Sequence, residues 1–210
     1  SLVIALTPTL KVDPLNEGFA IKTQQGLIRI SAENPVGLLY GTFHLLRLVQ
    51  TEQSLAKLDV EQSPKIQLRM LNHWDDLDRH TERGFAGESI FDWHKLPDYK
   101  DQRYYDYARA NASIGINGVV PINVNSNALI LSSAYLHKVQ ALADIFRPYG
   151  IKVYLSIKFS SPQQLDGLPT SDPLNPAVQQ WWQNKTAEIY QLIPDPKDNQ
   201  DQVIMAALTT

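Results

Sequence analysis

The chain contains no cysteine in its 210 residues. This excludes disulfides, thiolate nucleophiles and cysteine-ligated zinc, and it fits a reducing cytosol and a disulfide-free secreted protein equally well. Also missing is any apolar run approaching the roughly 20 residues that span a bilayer, so no membrane segment is expected. The opening, Ser1-Leu2-Val3-Ile4-Ala5-Leu6, lacks the charged start of a signal peptide. Ser1 is not a methionine and the chain begins in a strand-like run, so the true N-terminus is expected upstream and the compartment stays open. Excess basic charge is lacking too: 19 Lys and Arg against 22 Asp and Glu leave a net charge of -3, and the charges are scattered. Nucleic acid is therefore not an expected partner. No glycine-rich phosphate loop follows a strand-like run, and no Gly-x-Ser-x-Gly elbow occurs. Nucleotide binding and serine-type acyl transfer lose support accordingly.

What is present is a soluble globular composition, 43% hydrophobic, long enough to bury a core in one domain or two small ones. Residues 2–6, 19–22 and 27–31 read as short strands separated by turn residues. A helix follows from an Asn34 cap and Pro35 through Gln50, with Leu38, Leu39, Phe43, Leu46 and Val49 as its core stripe. Thr51–Lys65 reads as a linker or edge hairpin. Strands then alternate with helices: 67–71 strand, 104–113 helix, 118–122 strand, 135–146 helix, 151–157 strand and 176–193 helix. Such alternation predicts a parallel sheet of βαβ units with its chemistry at the carboxyl ends of the strands. By pattern alone, these units fit the start of an eightfold barrel or half of a doubly wound sheet.

The loop after the 67–71 strand holds the richest chemistry, Asn72-His73-Trp74-Asp75-Asp76-Leu77-Asp78-Arg79 and then Thr81-Glu82-Arg83-Gly84-Phe85-Ala86-Gly87-Glu88. Trp74 is the sharpest candidate, because an indole offers a flat apolar face to a pyranose ring and one N–H donor. On composition alone, a Trp that caps a domain interface is the more frequent outcome. His73, Asp75, Asp76 and Asp78 have ligand chemistry, but their spacing matches neither an EF-hand loop nor a His-Glu-x-x-His helix, so a solvated acidic loop is expected and no metal. Glu82-Arg83 could hold a sugar acid or form a surface ion pair. A second loop, Asn123-Val124-Asn125-Ser126-Asn127, is dense in amides that suit hydroxyl recognition and turns alike. His44 and His137 lie in helical patterns and read as structural.

Several separated motifs resemble the α-glucuronidases of glycoside hydrolase family 67, over about residues 17–195. Gly37-Leu38-Leu39-Tyr40-Gly41-Thr42-Phe43-His44-Leu45-Leu46-Arg47-Leu48 is similar to the helix of that family's N-terminal α/β domain. Arg69-Met70-Leu71-Asn72-His73-Trp74-Asp75 with Glu82-Arg83-Gly84-Phe85-Ala86-Gly87 resembles its first barrel strand and loop. Asn117-Gly118-Val119-Val120 with Asn123-Val124-Asn125 resembles the second, and Gly150-Ile151-Lys152-Val153-Tyr154-Leu155-Ser156 with Ser161-Pro162 the third.

The resemblance implies an α/β fold: residues 1–64 as the last part of a small N-terminal domain, 65–195 as the first three βα units of an incomplete (β/α)8 TIM barrel, and 196–210 as a divergent tail. It implies inverting removal of 4-O-methylglucuronic acid from xylo-oligosaccharides in xylan degradation, without a cofactor, in a full-length enzyme expected to be a homodimer. Trp74, Asn123 and Val124 would contact substrate. The catalytic carboxylates of the family follow later strands and are expected beyond this chain, which alone should be inactive. A non-catalytic carbohydrate-binding module that keeps the early loops is the alternative. The sequence departs from the family pattern at Asp76, where Asn is expected, at Arg79-His80, at Lys158, where an amide is commoner, and throughout after Asp195.

Overall fold

The computed structural model describes residues 2–6, 17–122, 127–193 and 203–208, the first and last of these segments as backbone. The chain is mixed α/β and divides into two compact units, Ser1–Arg69 with Arg109–Asn117, and Met70–Ala108 with Gly118–Thr210.

In the first unit, β1 (Leu2–Leu6), β2 (Phe19–Gln24), β3 (Leu27–Ala32) and β4 (Asp59–Gln62) form one sheet in the order β1-β3-β2-β4. β2 and β3 are antiparallel, joined by Gln25-Gly26, both at positive φ as a tight two-residue hairpin turn requires. β1 lies parallel to β3, and β4 is an antiparallel edge strand inside the segment read as linker or hairpin. Helix α1 (Pro35–Gln50) starts where expected: Gly37 N–H donates to the Asn34 side chain at 2.9 Å and proline occupies the first turn.

The buried face of α1 differs from the expected stripe. Gly37, Tyr40, Gly41 and Leu45 are its buried residues, whereas Leu46 and Val49 are exposed and Leu38 is only partly buried. Counting large aliphatic side chains set the face one position off, because the helix approaches the sheet through glycines. A Cβ on Gly41 would lie 2.6 Å from the Ile30 side chain, so only glycine allows that spacing. Ile21, Ile30 and Leu45 form the centre of this core, with Phe19, Ile28, Leu55, Leu58 and Val60 around it.

In the second unit, β5 (Met70–Asn72), β6 (Gly118–Val120), β7 (Lys152–Lys158) and β8 (Val203–Leu208) form a parallel sheet in sequence order. Helices α2 (Gln102–Ser113), of which residues up to Ala108 belong to this unit, α3 (Ser133–Phe146), α4 (Ser161–Asp166) and α5 (Pro176–Leu192) supply the intervening elements. The five central residues of β7 are all buried, as a parallel strand covered on both faces requires. Leu136, Val139, Leu142 and Phe146 of α3 and Val178 and Ile189 of α5 are buried with it.

The expectation of three strands followed by a divergent tail is corrected here: β8 is a fourth parallel strand, registered from Val153 opposite Val203 to Lys158 opposite Leu208. Its Val-Ile-Met-Ala-Ala-Leu run lacks the alternation that marks a half-exposed strand, which is how a strand of a covered parallel sheet reads. Among the described residues, no helix is long and apolar enough to cross a membrane.

Candidate active site

The parallel register carries the chain out of β5 at Asn72, and His73 N–H extends the ladder by donating to the Val120 carbonyl at 2.9 Å. From there the backbone makes an excursion that folds back on itself. Asp75 bridges Thr81 and His80 bridges Glu88, both antiparallel, while Thr81 N–H donates to the Gly87 carbonyl and Ser89 N–H to the Arg79 carbonyl. Arg79, Glu82 and Arg83 adopt positive φ within it, a conformation non-glycine residues take at some cost.

Side chains alternate along the start of this excursion. His73 is half-buried, Trp74 is 46% exposed and Asp75 is 2% exposed. Asp75 is thus no member of a solvated acidic loop. It accepts hydrogen bonds from the Ser89 hydroxyl at one oxygen and from the Thr81 hydroxyl at the other, the latter at 3.2 Å. Burial of an ionised carboxylate is costly without such donors. Asp76 is half-buried and Asp78 exposed; burial and then the Asp78 charge raise the Asp76 carboxyl above its ordinary value, while Asp78 receives His80 N–H at 3.1 Å.

His73 Nε2 lies 2.7 Å from the Tyr107 hydroxyl, its Nδ1 faces Asp75 at 3.7 Å, and its ring meets Phe91 edge-on at 5.2 Å. Burial lowers the His73 pKa, with the Asp75 charge pulling the other way, and burial followed by the Asp75 charge raises that of Tyr107.

Phe91, Trp93 and Tyr104 are fully buried beneath this layer, and Lys138 Nζ caps the Trp93 carbonyl at 2.5 Å. Glu82 and Arg83 do not pair with each other. The ion pairs of the excursion run from Arg79 to Glu88 at 2.9 Å and to Asp92 at 3.3 Å. Phe85 at the tip is 90% exposed. At the carboxyl end of β7, the Lys158 carbonyl accepts from the Ser161 hydroxyl at 2.7 Å.

The structure therefore places Trp74 at the carboxyl end of a parallel strand on a firmly tied loop. Asn123 and Val124, with Asn125 and Ser126, lie outside the described residues. Among the described residues, no group of three or more His, Asp or Glu is arranged to hold a metal. Ser89, Thr81 and Tyr107 were not singled out from the sequence. Their signal in the sequence is generic, hydroxyls 6, 14 and 34 residues from the partners they bond, which becomes meaningful once the fold brings them together. His44 packs near Phe19 at 5.5 Å, and His137 is an exposed helix residue.

The model of the glycosyl hydrolase family 67 middle domain matches residues 48–198. The chain is 41% identical over 190 residues to the probable alpha-glucuronidase A of Aspergillus oryzae, covering 90% of this chain and 22% of that protein. It is 38% identical over 196 residues to the alpha-glucuronidase of Hypocrea jecorina, covering 90% of this chain and 23% of that one. The chain thus spans about a fifth of the length of the curated relatives it matches. Among solved structures, a glycoside hydrolase family 138 enzyme targeting pectin rhamnogalacturonan II superposes with a TM-score of 0.63 at 14% identity, over 99% of this chain and 30% of that one. That likeness is one of fold.

Proposed function

The chain belongs to glycosyl hydrolase family 67, and we propose that it is part of an α-glucuronidase that removes 4-O-methylglucuronic acid, with inversion, from the ends of xylo-oligosaccharides. Residues 1–64 then belong to the N-terminal α/β domain, and the strands from Met70 onward begin the (β/α)8 barrel. Trp74, Asn123 and Val124 face the uronic acid. Homodimerisation of the longer enzyme belongs to the same reading.

The observation that carries this reading is the position of Trp74: an exposed indole next to the carboxyl end of a parallel strand, where barrel enzymes build their substrate sites. Inversion needs two carboxyl groups roughly 6.5–9.5 Å apart on opposite faces of the sugar, one protonating the leaving oxygen and one activating water. Asp75 is unsuited to either role, because Ser89 and Thr81 occupy both of its oxygens beneath the surface. The acid and base come from later strands of the barrel. These 210 residues supply binding and orientation.

The test is calorimetry with an aldouronic acid, alongside assay for released 4-O-methylglucuronic acid. The expected result is binding by the 210-residue chain without release, and, in the full-length enzyme, loss of about tenfold or more in kcat/KM on Trp74→Ala. A buried indole face contributes on the order of 1–3 kcal/mol, which sets that scale. Release by the 210-residue chain that survives Trp74→Ala would refute the assignment.

A further inference from the structure

We propose that Asp75, Ser89 and Tyr107 are positioning residues that fix the outward orientation of Trp74. The proposal deepens the reading of Trp74 as the sugar-contacting side chain and rests on it for its functional consequence, but its structural content is separately testable.

A solvent-exposed tryptophan on a loop ordinarily samples several rotamers and backbone states, and a platform that must first be ordered binds more weakly. Here both residues flanking Trp74 are tied down. On the leading side, His73 is held by its N–H on Val120, by Tyr107 at 2.7 Å and by the edge of Phe91. On the trailing side, Asp75 is held by Thr81 and Ser89, and the Ser89 hydroxyl in turn accepts Phe91 N–H at 2.9 Å. The Trp74 carbonyl itself accepts Glu82 N–H at 2.7 Å.

In extended backbone, neighbours of an inward-facing residue face outward. A half-buried His73 and a buried Asp75, both bonded, therefore leave the indole between them facing outward. The carboxylate of Asp75 is the centre of this device. One oxygen takes a hydroxyl from the limb of the excursion that turns back and the other takes one from the limb that returns, so a single buried charge closes the loop at the residue after Trp74. His73 Nδ1 faces the same carboxylate from the other side at 3.7 Å. Functional side chains are held to useful tolerances by such supporting layers, and loops without them are too loose to orient a substrate.

The chain is labelled with 5-fluorotryptophan and followed by fluorine NMR, the Trp74 resonance being assigned with Trp74→Phe among the 4 tryptophans. Ser89→Ala and Tyr107→Phe are expected to broaden or split that resonance while leaving the buried Trp93 resonance in place, and Ser89→Thr should restore a single line. Affinity for an aldouronic acid should fall by about three- to tenfold in the first two variants, as loss of one buried hydrogen bond implies. An unchanged Trp74 line in Tyr107→Phe, with only the melting temperature lowered, would overturn the proposal and leave these residues as ordinary core. Should Ser89→Ala unfold the chain, seen as collapse of the Trp93 resonance, the milder Tyr107→Phe decides alone. If the sugar leaves the Trp74 resonance of the parent chain untouched, the substrate-contact reading fails, whereas the line shapes still judge the positioning claim.

Discussion

Asn117 is the test of how the first unit is held together. Its side chain is buried and makes three kinds of bond: Oδ1 accepts Arg69 N–H at 2.8 Å, and Nδ2 donates to the Gln67 carbonyl at 2.7 Å and to the Glu17 carboxylate at 3.1 Å. Glu17 also binds the Arg69 guanidinium, which reaches the carbonyls of Ile66, Gln67 and Gly115. Replacing Asn117 by Ala removes all three bonds and leaves a backbone N–H, with one carbonyl relying on Arg69 alone. Two neutral hydrogen bonds at about 1 kcal/mol each and one to a charged group at about 1.5 kcal/mol give a loss of roughly 3–4 kcal/mol. At a urea dependence of about 2 kcal/mol per molar, the unfolding midpoint should fall by about 1.5–2 M. Asn117→Asp, which keeps the acceptor but sets a second carboxylate against Glu17, should be no better. A midpoint shift under about 0.3 M for Asn117→Ala would refute the view that this residue links the segment after α2 to the approach of β5.

Gly118 in β6 has no room for a side chain, since a Cβ there would lie 2.9 Å from the Tyr154 ring and 3.0 Å from the Met70 Cβ, so Gly118→Ala should cost about 1–3 kcal/mol by thermal melting. Tyr40, pushed up to about 12 by burial and by the Glu17 charge, ionises later in the folded than in the unfolded chain. Stability should therefore be intact below pH 10 and decline by about 2–3 kcal/mol as pH rises through about 12, a decline that urea midpoints should show reduced in Tyr40→Phe. His73 works in the opposite direction: burial lowers its pKa from 6.5, so its contribution is present above that pH and lost as pH falls through the lowered folded value. Urea midpoints measured from pH 7 to 5 should fall less steeply in His73→Gln than in the parent chain.

Much of the fold was readable because the deciding signals are local. The Asn34-Pro35 start of α1, the Gln25-Gly26 turn and the alternation from β5 to α5 each depend on residues close in sequence. The errors occurred where a distant partner decides. Residues 67–71 read as a strand, yet the strand is Met70–Asn72, because the carbonyls of Ile66 and Gln67 are taken by Arg69 and Asn117 side chains instead of a ladder. The face of α1 was misread because glycine carries no hydropathy signal, although the lack of a side chain is what lets a helix sit down on a sheet. The short apolar run of β8 fits a covered strand and a buried helix segment alike, and its register on β7 decides between them.

The site was legible to a different degree. Trp74 stood out by chemistry alone, since few residue types offer a sugar both an apolar face and a donor. Asp75 beside it looked like one acid among several, and its distinction lies in 2% exposure and two hydroxyl partners 6 and 14 residues away. The period-2 reading of His73-Trp74-Asp75 contains the answer once one of the three is known to be buried, because it forces the indole outward. The sequence singles out Trp74, the residue proposed to touch the sugar, while the residues proposed to aim it are hidden by their ordinary chemistry. Serine, threonine and tyrosine hydroxyls occur throughout the chain, and what sets these three apart is their partners, Ser89 and Thr81 on the buried Asp75 carboxylate and Tyr107 on the neighbouring His73 ring.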